Sequence, residues 1–78
     1  MTEDLSGLAA RFGRVVRIRR EALGISQEDL AARAGLHRTY VSLIERGRRT
    51  ASLKVVEKLA DGLQTSMSDL VSGTEAAG

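Results

Sequence analysis

The stretch 26–47 constrains the fold more than any other part of this 78-residue chain. It opens with Ser26 and Asp29, whose spacing matches a capping box at the start of a helix. Leu30 and Ala34 then fall four residues apart, on one face of that helix. A glycine follows at once, and glycine ends helices because it adopts the left-handed conformation without strain. The first half of the stretch therefore predicts a short capped helix.

A second apolar repeat with helical spacing begins directly after Gly35 and ends before Gly47. Its members are Leu36, Tyr40, Val41 and Ile44. Together the two repeats predict helices over 27–34 and 38–46 joined by a tight turn, which is a helix-turn-helix arrangement. Helices this short are not stable alone in water, so the rest of the chain must pack against them.

Three further helical patterns flank this pair. An apolar stripe predicts helix 1 over 8–23, with a buried face of Leu8, Phe12, Val15, Val16 and Leu23. Ser52 precedes a fourth helix ending near Gly62, whose expected buried face is Leu53, Val56, Leu59, Ala60 and Leu63. Ser66 precedes a short fifth helix over 67–71. Residues 1–7 are predicted to be flexible and residues 72–78 to be a disordered tail, which leaves one domain over 8–71.

Composition favours an all-α protein that binds rather than catalyses. The chain has no proline, one tyrosine and one phenylalanine, which suits helices better than a sheet. Without cysteine and with a single histidine, it offers no disulfide and no metal site, and we expect no cofactor. The sequence contains no paired acids and no nucleophile–base set of the kind that would indicate an enzyme. The acidic start and the lack of a long apolar run predict a cytoplasmic protein without a membrane partner.

Charge is unevenly distributed along the chain. Residues 11–49 hold ten arginines against four acidic residues, whereas the flanks hold two lysines against six acidic residues. Arginine forms paired hydrogen bonds with phosphate and with guanine, so this segment suits a polyanionic partner. A basic face exposed only to solvent is the alternative that charge alone leaves open.

The segments SQEDLAARAGL, RTYVSLIERGRR and SLKVVEKLADGL, in this order, resemble the phage-repressor-like (Cro/XRE) helix-turn-helix family. The RTY-V-S-x-IERG part is most similar to the small controller proteins of restriction–modification systems. The resemblance covers residues 8–71. It implies an all-α, five-helix, lambda-repressor-like DNA-binding domain with the helix-turn-helix at helices 2 and 3. Three features depart from the family pattern, namely Arg19, His37 and the pair Thr50-Ala51.

The resemblance also implies a function. Such a protein is a homodimer that binds an inverted-repeat operator in double-stranded DNA and regulates transcription, here as the controller of a restriction–modification system. RNA polymerase is then a candidate further partner, and no small-molecule ligand is expected. A phage-type or antitoxin-type repressor is an alternative with the same DNA chemistry. A protein-interaction module of the same fold is the alternative from another functional class.

In this family helix 3 lies in the major groove, so the resemblance assigns roles to its residues. Base contacts are implied for Arg38, Thr39, Ser42, Leu43 and Arg46. Contacts with the DNA backbone are implied for Gln27, His37, Tyr40, Arg48 and Arg49. An ordinary surface or capping role is the alternative for each. Glu45 is expected to pair with an arginine, and the predicted dimer interface consists of Val55, Leu63, Met67 and Val71.

Overall fold

The structure is a computed structural model that describes the backbone of residues 5–77 and the side chains of residues 7–75. Five helices follow one another over residues 5–77: α1 (Leu5–Ala22), α2 (Gln27–Ala34), α3 (Arg38–Glu45), α4 (Leu53–Gly62) and α5 (Met67–Ala77). Over residues 5–77 no strand is present, and no helix there is both long and apolar enough to cross a membrane. The all-α, five-helix prediction is confirmed.

Side-chain caps set the beginnings of the short helices. The Ser26 hydroxyl accepts a hydrogen bond from the Asp29 amide at 3.0 Å, and the Asp29 carboxylate accepts one from the Ser26 amide at 3.0 Å. This is the predicted capping box, and these bonds lower the pKa of the Asp29 carboxyl, the Ser26 amide contributing most. Ser52 and Ser66 each accept from the amide three residues on, at 3.2 and 3.0 Å. Gly35 ends α2 with a φ of 68°.

The core draws on all five helices. Helix α1 packs on α3 and α5, α2 packs on α3 and α4, and α4 packs on α5. The largest fully buried side chains are Val16, Leu30, Val41, Ile44, Leu59 and Leu70. Burying an aliphatic side chain of this size contributes about 1.5–3 kcal/mol, so these contacts supply the stability that the short helices lack.

The backbone of α1 lies directly on the end of α3. A Cβ atom added to Gly13 would overlap the carbonyl oxygen of Ile44 and would lie 2.8 Å from that of Glu45. Just beyond α3, Gly47 has a φ of 70°, and a Cβ there would lie 2.8 Å from Cα of Ala10. Both glycines are therefore needed for this close approach, which fixes the position of α3 relative to α1.

The predicted end of the domain is corrected by α5, which continues to Ala77 although a disordered tail was expected from residue 72. Leu70 is fully buried, and the buried Thr74 hydroxyl donates to the Leu70 carbonyl at 3.0 Å. A Cβ on Gly73 would lie 3.2 Å from Cγ1 of Val15, so α5 lies close to α1. The tail's small, polar residues suggested disorder, but they fit where α5 lies close to α1.

Two further differences concern α1 and the predicted buried faces. Helix α1 begins at Leu5 rather than at residue 8. The expected flexibility of residues 1–4 and 78 lies outside the described residues. Three leucines predicted in the core are exposed, namely Leu8, Leu23 and Leu53. Leu23 follows the last residue of α1, Leu53 is the first residue of α4 with 75% exposure, and Leu8 lines a surface groove between α1 and α5. Helical spacing therefore overestimates burial near helix ends.

Candidate nucleic-acid interface

Helix α3 has one face in the core and one face outward. Val41 and Ile44 are completely buried, whereas Arg38 and Thr39 are exposed and Ser42 is half-buried. At 100° per residue, the five residues with predicted base contacts fall within an arc of about 140° that excludes the buried positions. The structure therefore brings together Arg38, Thr39, Ser42, Leu43 and Arg46 on the outer side of α3 and its C-cap.

His37 begins this helix as its N-cap residue. Its backbone has φ −76° and ψ 143°, and its Nδ1 atom accepts a hydrogen bond from the Thr39 amide at 3.1 Å. The imidazole thus performs the role that a serine or aspartate side chain performs at other helix starts. The side chain is exposed beside Arg38, and the first turn of α3 contains no acidic residue.

Glu45, the last residue of α3, pairs with Arg20 of α1. Arg20 Nε and Nη2 donate to the two carboxylate oxygens at 2.7 and 3.0 Å, a bidentate geometry. The side chains are 2% exposed for Glu45 and 12% for Arg20. These hydrogen bonds raise the pKa of Arg20, against the opposing effect of burial. The prediction that Glu45 pairs with an arginine is confirmed, although the sequence did not identify Arg20 as the partner.

The same carboxylate reaches the start of α2. Gln27 Nε2 donates to Glu45 Oε1 at 3.1 Å, and Arg20 Nη1 donates to the carbonyl of Ile25 at 2.8 Å. The pair therefore joins α1, the turn before α2, the first residue of α2 and the last residue of α3. Gln27 has a predicted contact with the DNA backbone, and its amide nitrogen keeps a second hydrogen for such an acceptor.

Two arginines continue the basic surface beyond α3. Arg48 and Arg49 are exposed in the turn that follows the helix, and the Arg49 guanidinium carbon lies 5.2 Å from the centre of the Tyr40 ring. This distance is within the range of a cation–π interaction. The Tyr40 ring packs against the core, as predicted for the ring. Arg46 bends back along α3, with its Nε 3.4 Å from the carbonyl of Ser42.

The predicted dimer-interface residues divide into two groups. Val55 and Met67 are half-buried and Val71 is exposed, so each has apolar surface to offer. Leu63 is only 3% exposed and belongs to the core cluster. It has almost no surface left for a second copy, so the interface role predicted for Leu63 is wrong. Its spacing of four from Leu59 places it on the inner face of the chain.

Nothing among the described side chains resembles a metal site, since no group of three or more His, Asp or Glu residues lies together there. The features that do lie together are hydrogen-bond donors and cations around the outer side of α3. Such a surface can bind phosphate oxygens and the edges of bases.

Comparison with known proteins gives a family and a set of relatives. A family model described as helix-turn-helix matches residues 16–70. Control protein C.MunI of a Mycoplasma species is 40% identical over 72 residues, which cover 91% of this chain and 97% of that protein. Control protein C.BamHI of Bacillus amyloliquefaciens is 47% identical over 64 residues, 81% of this chain and 79% of that protein.

Solved structures show the same likeness. The restriction–modification controller protein C.AhdI of Aeromonas hydrophila superposes with a TM-score of 0.78 at 44% identity, covering 80% of this chain and 94% of that one. The controller protein C.Esp1396I was solved as a tetramer in complex with its natural 35-base-pair operator. It superposes with a TM-score of 0.83 at 33% identity, covering 90% of this chain and 92% of that one. The likeness thus extends over most of each controller protein rather than over the two central helices alone.

Proposed function

The chain belongs to the helix-turn-helix family, and on that premise we propose that it is a sequence-specific DNA-binding regulator of transcription that controls a restriction–modification system. Its relatives C.MunI, C.BamHI and C.AhdI are control or controller proteins and are similar over most of their length. Occupancy of an operator beside a promoter would then set the access of RNA polymerase. We infer a cytoplasmic location, and DNA binding rather than catalysis as the activity.

The observation that carries this proposal is the outward, basic face of α3. Arg38 is the first residue of the helix and is exposed, so its guanidinium would be among the groups nearest to the base edges in the groove. An arginine bonded to guanine O6 and N7 contributes about 1–3 kcal/mol of discrimination between bases. The methyl group of Thr39 and the side chain of Leu43 would contact thymine methyl groups.

Backbone contacts would come from the residues around this face. Arg48 and Arg49 follow α3, Gln27 begins α2, and the Tyr40 hydroxyl lies at the tip of a ring that packs against the core. Contacts with phosphates hold a protein in register on the duplex without reading its sequence. This division of labour predicts different consequences for two arginine substitutions.

We expect Arg38→Ala to lower affinity for the operator by about 5- to 150-fold, the range that corresponds to one base contact, with little change on random duplex. Arg48→Ala should weaken binding to both duplexes and reduce the salt slope by about one unit. The operator is first selected from a random duplex library, and affinities are then titrated at two salt concentrations. Arg17→Ala is the control, because Arg17 pairs with Glu21 on the surface of α1.

Equal losses for Arg38→Ala on operator and random duplex would contradict its role in base recognition. If folded wild-type protein binds no duplex at any salt concentration, the interaction-module alternative takes precedence over DNA binding. An inverted repeat among the selected sites, bound more weakly at high salt, is the expected result for a dimeric regulator.

We also propose that the protein acts as a two-fold dimer through Val55, Met67 and Val71. These residues present apolar surface on α4 and α5. A two-fold dimer would read two half-sites about one helical turn, roughly 34 Å, apart.

Val71→Glu should shift the protein towards monomer in sedimentation equilibrium, because a carboxylate at an apolar interface loses its hydration. Val71 is 46% exposed, so this change tests the interface without a cost to the core. Val55→Glu should have the same effect. Leu23→Glu is the matched control, since Leu23 is also exposed but lies at the end of α1. An unchanged dimer in Val55→Glu and Val71→Glu would exclude these residues from the interface.

A further inference from the structure

The N-cap of α3 differs chemically from the other helix N-caps that the structure describes. Helices α2, α4 and α5 begin with a serine hydroxyl, whereas α3 begins with the imidazole of His37. This is the only histidine in the chain. It lies next to Arg38, at the start of the helix for which we propose insertion into the major groove.

The cap hydrogen bond determines which ring nitrogen carries the proton. A neutral imidazole has one N–H donor and one nitrogen lone pair. Nδ1 of His37 accepts a hydrogen bond from the Thr39 amide, so its lone pair is occupied and the proton resides on Nε2. Nε2 is therefore a donor, and it lies on the side of the ring away from the Thr39 amide.

We infer that His37 donates this Nε2–H to a phosphate oxygen of the DNA backbone, and that its cap to Thr39 holds the ring in the donating tautomer. The inference rests on the proposed DNA-binding function and assigns a specific atom of His37 to it. A phosphate is the acceptor because the exposed His37 side chain is followed in the chain by the exposed Arg38, at a helix start without acidic residues. A histidine cap accepts and donates from two different atoms, so both bonds form at once.

The decisive variant is His37→Gly, which removes the donor and adds neither charge nor hydroxyl. Glycine is nearly as good as a polar side chain at an N-cap, so the variant should fold. At pH 8 we expect a roughly tenfold loss of affinity, equal on operator and on random duplex. Because a neutral donor releases no counterion, the factor should be the same at two salt concentrations. Ser52→Gly, the same change at the cap of α4, is the control and should leave affinity unchanged.

The tautomer has a direct spectroscopic test in the free protein at pH 8. Long-range proton–nitrogen NMR correlations distinguish a protonated from an unprotonated ring nitrogen, and a single histidine makes the assignment unambiguous. We expect the Nε2–H form alone, whereas an unconstrained imidazole is a mixture of both forms. Protonation at Nδ1 would overturn the inference.

The binding outcomes separate this inference from the proposed function. Unchanged affinity in His37→Gly would refute the phosphate contact while Arg38→Ala and Arg48→Ala still test DNA binding. A loss confined to the operator would assign His37 to a base instead, and a loss that shrinks at high salt would require a cationic ring. Either result overturns the neutral phosphate donor. Failure of the wild type to bind any duplex would overturn the proposed function itself.

Discussion

Gly13→Ala should destabilise the protein by more than about 3 kcal/mol, at or beyond the upper end of ordinary overpacking. Two effects of opposite sign compete at this position. Alanine is favoured over glycine inside a helix by up to about 1 kcal/mol. However, the new methyl group would overlap the carbonyl oxygen of Ile44 and lie 2.8 Å from that of Glu45. Because these are backbone atoms, only a separation of α1 from α3 relieves the overlap, and the second effect dominates.

The substitution should also disturb the outer side of α3, for which we propose DNA contacts, because the contact at Gly13 fixes the position of α3 relative to α1. Total stability of a small domain is about 5–15 kcal/mol, so such a loss removes a large fraction of it and raises the unfolded fraction by about 100-fold or more. Urea denaturation followed by circular dichroism measures the change. Gly73→Ala is the matched control in α5, where the new Cβ meets only the two methyl groups of Val15, at 3.2 and 3.8 Å. The free energy of unfolding of Gly73→Ala is expected to differ from that of the wild type by no more than about 1 kcal/mol. Equal stability of Gly13→Ala and wild type would contradict the close approach.

Local signals in the sequence predicted the central helices well. The capping box at Ser26 and the glycine at residue 35 gave the bounds of α2 as the structure has them. The serines before α4 and α5 also cap as predicted. Each of these features depends on residues three or four positions apart, and such features can be read from one segment of chain.

Features that depend on two distant segments could not be read in this way. The sequence shows ten arginines between residues 11 and 49, but nothing in their spacing singles out Arg20 as the partner of Glu45. Likewise, the need for Gly13 arises only when α1 lies on the end of α3. The extension of α5 was missed because its small residues are stabilised by packing on α1 rather than by helix propensity or apolar periodicity.

For the candidate site, sequence reasoning predicted a set of side chains and the structure adds their relationships. The outward residues of α3 follow from helical spacing once the core positions are known. The amide of Gln27 was assigned to DNA by resemblance, and the structure adds its hydrogen bond to Glu45. The carboxylate that pairs with Arg20 therefore also orients a side chain for which we propose contact with the DNA backbone.

Arg20→Met should therefore be among the most destabilising single changes, at about 3–5 kcal/mol, because it leaves a buried carboxylate without its cation. The Glu45 side chain is 2% exposed and would retain only the hydrogen bond from Gln27. Glu45→Gln should lower the stability less than Arg20→Met does, since Arg20 is 12% exposed and keeps its hydrogen bond to the Ile25 carbonyl. Urea denaturation of both variants, with m-values compared, measures these differences.

The exposed pair Arg17–Glu21 provides the internal control for this prediction. Its nitrogen–oxygen distance is 3.2 Å, and its side chains are 63% and 53% exposed. Solvent screens such a pair, so Arg17→Met should change stability by no more than about 0.5 kcal/mol. Adding Glu45→Leu to Arg20→Met should restore part of the loss, because an apolar pair has no charge to desolvate. If Arg20→Met lowers the free energy of unfolding no more than Arg17→Met does, the buried pair does not hold α1 and α3 together. The contact between these helices then depends on close packing, as at Gly13.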